Sequence, residues 1–135
     1  MIDNIRGGTP MSNETNILIY QTEEGNTKVD VRLQNGTVWM TQKAIGELYQ
    51  KGINTINEHI KNIYAEGELQ ESATIRINRI VQTEGKREVE RDVSFYNLEM
   101  IIAIGYRVRS HRGTQFRQWA TERLNEYLVK GFTKI

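Results

Sequence analysis

The chain has 135 residues, 18 Lys/Arg against 17 Asp/Glu, and no cysteine. This length buries one core without disulfide or metal staples, and the missing thiols exclude a Cys-type zinc finger and a thiol nucleophile while fitting a reducing interior. No apolar run approaches the roughly 18 residues of a membrane span, and no basic-then-apolar leader opens the chain, so a cytoplasmic protein with no membrane partner is expected.

Residues 1–15, polar and Gly-rich around Pro10, read as a disordered lead or an alternative start at Met11, and 16–135 as one domain. Ile17–Gln21 reads as a strand and Glu24-Gly25-Asn26 as a turn. Val29, Val31 and Leu33 alternate with Asp30 and Arg32 as a half-buried strand does. Asn35-Gly36 matches a two-residue hairpin turn, and Thr37–Met40 completes an antiparallel meander.

From Thr41 the period changes to helical. Thr41 caps a first helix carrying Ala44, Ile45 and Leu48; Ile53, Ile56, Ile60, Ile63 and Tyr64 mark a second, ended by Gly67. Only Gln50, Lys51 and Gly52 separate them, so a helical corner is expected. In that geometry the second helix offers side chains to a DNA major groove. With its isoleucines inward, Asn54, Thr55, Asn57, Glu58 and Lys61 face out as candidate base contacts. The asparagines suit adenine, Thr55 a phosphate or a thymine methyl, Glu58 cytosine, and Lys61 a phosphate. Asn54 has an alternative role as helix cap. Backbone contacts are expected from Gln42, Lys43 and Lys51. The turn lacks the apolar residue that usually plugs such a corner; burying Lys51 there is costly, so Ile53 is expected to fill the space.

Ala73–Phe95 returns to β character, with Ile75, Ile77 and Val81 before Glu84-Gly85 and Val89, Val93 and Phe95 after it. The charges between them suggest a ribbon with Lys86-Arg87 at its tip, which is either a wing lying on the phosphate backbone or an ordinary hairpin with charge-protected edges. Asn97 caps a third helix, Leu98–Tyr106, apolar nearly all round and hence buried. Arg107, Arg109 and Arg112, in a stretch from Met100 to Thr121 without acidic residues, are further candidates for phosphate, or else a solvated helix end and loop. The final helix, about Thr114–Lys130 and ended by Gly131, carries Phe116, Trp119, Leu124, Tyr127 and Leu128 on one face. Such a stripe is core or a homodimer seam rather than a cofactor site.

Residues 71–135 hold twelve Lys/Arg against eight Asp/Glu, whereas 1–70 hold six against nine, so a polyanion is drawn to the second half. Ser110-His111-Arg112 invites an enzymatic reading, but no carboxylates cluster at metal-binding spacing, and no catalytic residue, metal or cofactor is assigned. Ser110 and Gly113 instead suit a tight helix-to-helix connection in which His111 and Arg112 satisfy end carbonyls.

The segments NILIYQT, VWMTQ, TINEHIKNIY, FYNLEMIIAIGYRVRSHRGTQFR and WATERLNEYLVKGF resemble the N-terminal part of the RhuM family of bacterial virulence-associated proteins. That resemblance implies an organisation like phage antirepressor and Bro-type DNA-binding modules, in a protein that usually continues beyond this length. Gln50 and Lys51 depart from the family's usual pair at the turn. The expected fold is α+β: a small meander, a winged helix-turn-helix with its ribbon, and two C-terminal helices. The expected function is regulatory binding of duplex DNA; the alternative is an antirepressor-like protein-interaction module.

Overall fold

The computed structural model describes residues 16–133; the expected disordered lead lies outside them. The fold is α+β. Strands β1 (Asn16–Gln21), β2 (Lys28–Gln34) and β3 (Thr37–Thr41) form the meander, and β4 (Ile75–Glu84) and β5 (Arg87–Asn97) form the ribbon. The local turns follow their residues: Gly25 has φ +80°, and Asn35 and Gly36 take φ of 55° and 77°, the paired left-handed conformation a two-residue hairpin demands.

The ribbon is not a separate appendage. β5 pairs antiparallel with β3 through Trp39 with Asn97, Met40 with Tyr96 and Thr41 with Phe95, making one five-stranded sheet in the order β1-β2-β3-β5-β4. Only the last three residues of β5 enter that ladder, so most of the β4–β5 hairpin extends beyond it as a two-stranded arm. Its tip is Gly85-Lys86, one residue earlier than expected, with Arg87 already paired to Glu84. Ile77 and Val81 of the arm are exposed, since no second layer reaches them.

Both helices that leave the β3–β5 ladder are capped as their sequences predict. Thr41 Oγ1 accepts from Ala44 N at 3.1 Å to start α1 (Gln42–Tyr49), and Asn97 Oδ1 accepts from Met100 N at 3.2 Å to start α4 (Leu98–Arg107). Between them lie α2 (Ile53–Ala65) and one helical turn, α3 (Glu71–Thr74). Gly67, at φ +74°, follows α2, where the N–H of Glu68 returns to Ile63 O at 3.0 Å. The last helix, α5 (Arg112–Thr133), does not stop at Gly131 as expected; a glycine permits a left-handed end without imposing one.

One sheet face carries Tyr20, Val29, Val31, Leu33, Val38, Met40 and Tyr96 into a core shared with Ile45, Leu48, Ile56, Ile60, Ile63, Met100, Ile101, Ile104 and Phe116. Each such aliphatic or aromatic side chain contributes about 1.5–3 kcal/mol when fully buried. The opposite, outer face buries Trp39 and Phe95 in a smaller cluster with Val93.

At the α1–α2 corner the expected plug is wrong. Ile53 is 53% exposed, and Ile56, fully buried, packs beneath the turn instead. The turn closes through Gln50 in the left-handed region, at φ 55°, and through Lys51 N donating to Gly46 O at 2.9 Å. A Cβ on Gly46 would lie 2.8 Å from Lys51 O, a backbone atom with no room to retreat. Gly46→Ala is therefore expected to destabilise the domain by about 1–3 kcal/mol, the usual cost of overpacking, measured as a lower urea midpoint with unchanged slope.

Candidate nucleic-acid interface

The face of α2 opposite Ile56, Ile60 and Ile63 is polar. Asn54, Glu58 and Lys61 are exposed, Asn57 is half-exposed, and all four fall within one stripe by three- and four-residue spacing. Thr55 is also exposed and sits at the side of that stripe. The N-cap of α2 is Gly52, with no side-chain cap, so Asn54 is not occupied as a cap.

Polar ties act at both ends of this helix. Gln42 Nε2 donates to Ile53 O at 3.0 Å, joining the start of α1 to the start of α2. Arg107 donates to Glu66 Oε1 at 2.7 Å and to Glu68 Oε1 at 2.9 Å, joining the far end of α2 to α4. In this structure Gln42 braces the corner, and Arg107 is a clamp paired with two carboxylates.

Of the two roles read for Arg112, phosphate contact or partner of an end carbonyl, the structure shows the second. Its side chain is 12% exposed, Nη1 donates to Leu48 O at 2.8 Å, and Nη2 reaches Glu24 Oε1 at 3.5 Å. It satisfies an end carbonyl of α1 and holds the β1–β2 turn against the start of α5, so it cannot reach a polyanion without dismantling that junction. Among the described residues no side-chain hydrogen bond is formed by the exposed His111, the other residue expected at such a carbonyl; Ser110 Oγ accepts from Arg112 N at 3.2 Å. The same junction admits only glycine at position 105, where a Cβ would meet the Tyr49 hydroxyl at 2.5 Å. That hydroxyl donates to Ile101 O at 2.6 Å, and burial pushes its pKa up from the ordinary value, keeping it protonated.

Lys43, Lys51, Lys86, Arg87 and Arg109 remain exposed. Lys43 and Lys51 border a shallow groove of about 340 Å³ that runs past Gly46, Gln50 and Ile53 to the start of α2. Among the described residues neither Lys86 nor Arg87 forms an ion pair, whereas farther down the arm Arg79 is held by Glu90 and Asp92, and Arg91 by Glu84.

The stripe expected to form a dimer face divides. Phe116 is fully buried, with its ring 5.1 Å from Tyr20 and 5.7 Å from Trp119. Trp119 and Leu124 pack half-buried against the core, because α5 lies over the β1 side of the sheet for its first half. Tyr127 and Leu128 are exposed.

Among the described residues no group of three or more His, Asp or Glu is placed to hold a metal ion, and no helix is long and apolar enough to cross a membrane. Lys28, Arg32 and Arg76, basic residues not among those expected at DNA, lie on the outer face of the sheet; Arg32 sits 4.5 Å over the Phe95 ring and Arg76 5.4 Å over Trp39. Their strand alternation was the available signal.

The model of the Virulence protein RhuM family matches residues 73–134. Over these residues the chain is similar to the RhuM family. The matched RhuM stretch spans the β4–β5 arm, α4 and α5, and stops short of the α1–α2 corner. Neither a curated protein nor a solved structure is found to match the chain.

Removing the Arg112 side chain is expected to cost about 1.5–3 kcal/mol, the range for a hydrogen bond from a charged donor to a buried acceptor, while Arg109→Gln costs nothing measurable. Urea unfolding of the two variants checks the contrast.

Proposed function

We propose that this domain binds duplex DNA as a cytoplasmic regulator, with α2 in the major groove. The observation that carries the reading is the polar stripe of Asn54, Asn57, Glu58 and Lys61, exposed along the helix that follows a locked corner. Asn54 and Asn57 are suited to paired hydrogen bonds with adenine and Glu58 to a cytosine amino group, with Thr55 and Lys61 nearby for the strand that carries them. Lys43 and Lys51 beside the corner, Lys86 and Arg87 on the arm, and Arg109 supply phosphate contacts. The arm then acts as the wing of a winged helix-turn-helix.

A second reading, a protein-interaction module of antirepressor type, draws on one observation. Tyr106 is 86% exposed and borders a depression of about 420 Å³ formed in part by Leu69, Leu98, Ile102, Ala103 and Arg117. Tyrosine and arginine around an apolar recess are the residue types that anchor protein partners.

Selection from a random duplex pool, followed by affinity measurements at two salt concentrations, separates the readings. A DNA reader returns a motif and loses affinity steeply with salt. In that case Asn57→Ala relaxes discrimination among sites by about 1–3 kcal/mol, while Lys86→Ala weakens all sites alike. Absence of binding to any duplex at low salt favours the second reading.

Dimerisation is proposed through the exposed end of the α5 stripe, Tyr127 and Leu128, in keeping with the two-fold habit of corner-type DNA readers. Sedimentation at high micromolar concentration should show a dimer that Leu128→Glu dissociates; a monomer throughout removes this element.

A further inference from the structure

The β4–β5 register sorts charge by side. Successive strand residues point to opposite faces, and antiparallel partners share a face. On one side of the arm, therefore, stand Arg79, Glu88, Glu90 and Asp92, which is acidic overall. On the other stand Arg87 and Arg91 against Glu84, with Lys86 at the tip.

The basic side is continuous with the outer face of the sheet. Phe95 and Arg76 are partners at the base of the arm, Thr41 pairs with Phe95, and Arg32 pairs with Trp39 two residues along β3. Lys28, Asp30 and Arg32 of β2 occupy that same face, in a groove of about 370 Å³ walled on one side by Lys43 and Glu47 of α1. Those two residues also border the corner groove leading to α2. The outer face thus meets the proposed reading helix across α1.

Arg32 is the distinctive member. It is half-buried, stacked on Phe95, and in no ion pair among the described residues, while burial lowers its pKa. A partly desolvated guanidinium held over a ring, with no hydrogen bond or ion pair among the described residues, is suited to a phosphate oxygen.

We infer that the outer sheet face and the basic side of the arm, through Lys28, Arg32, Lys86 and Arg87, form a second contact with the phosphate backbone of duplex DNA, beyond the reach of α2. This rests on the DNA-binding reading and adds sidedness to it: Arg87 faces the backbone and its neighbour Glu88 does not. Asp30 and Glu84 lie on the same face; Glu84 is held by Arg91, and Asp30 keeps the face from being uniformly basic.

The test uses the full chain and a random-sequence duplex, with affinity measured across a salt series. Arg87→Gln and Lys28→Gln should each reduce the salt slope by about one, the loss of one phosphate contact, whereas Glu88→Gln leaves it unchanged. Arg32→Gln should do the same as Lys28→Gln; unfolding curves check that its stacking on Phe95 is not needed for the fold. The inference is overturned if Glu88→Gln strengthens binding by the factor that Arg87→Gln weakens it, because net charge then governs. It is also overturned if Lys28→Gln leaves the slope intact while Asn57→Ala still relaxes discrimination, in which case the DNA reading stands alone. A wild-type chain that binds no duplex overturns both.

Discussion

Three backbone pairs between β3 and β5 hold the architecture together. Without them the three-stranded meander and the two-stranded ribbon are separate sheets, and the ribbon alone is marginal at best. With them, the strand that feeds α1 and the strand that feeds α4 lie side by side, so both helices launch onto the same face of one sheet. The core then closes because the isoleucines of α2 drop between those two helices and α5 covers the remaining meander face through Phe116 and Ala120. The ladder is short, yet it is what joins the meander and the ribbon into one sheet.

Two kinds of polar tie fix what packing leaves loose. Buried or half-buried groups such as Arg112 on Leu48 O and Tyr49 on Ile101 O act where a lost partner leaves an unsatisfied atom away from water, so they weigh more than their number suggests. Exposed pairs such as those along the arm are screened by solvent and set geometry more than stability. Arg107 lies between these kinds, and its double pairing keeps the end of α2 in step with α4.

Features decided within a few residues were legible from the chain alone. Thr41, Asn97, Gly67 and Asn35-Gly36 each behave as their local chemistry dictates, and the inward isoleucines of α2 follow from spacing. Gly131 failed locally, because a glycine permits a helix end without imposing one; the other unforeseen features turned on packing and partners elsewhere. Ile53 looked like a plug because apolarity was the only cue, but Ile56 lies closer to the space left by Gly46. Arg107 and Arg112 looked available because nothing nearby in the chain opposes them, whereas their carboxylates and carbonyl come from residues 24, 48, 66 and 68. Of the expected interface, the polar stripe of α2 was readable from periodicity, and the outer-face arginines were missed for want of knowing that the ribbon and meander share a sheet.

The two-residue turn at Gly85-Lys86 constrains how this segment can change over time. Because alternate positions of β5 carry opposite charge, inserting one amino acid within the strand would exchange its acidic and basic flanks wholesale, even though composition hardly altered. Lengthening at the bend leaves that polarity intact. Variation in related chains should therefore accumulate at the hairpin bend while the strand lengths on either side stay in even steps.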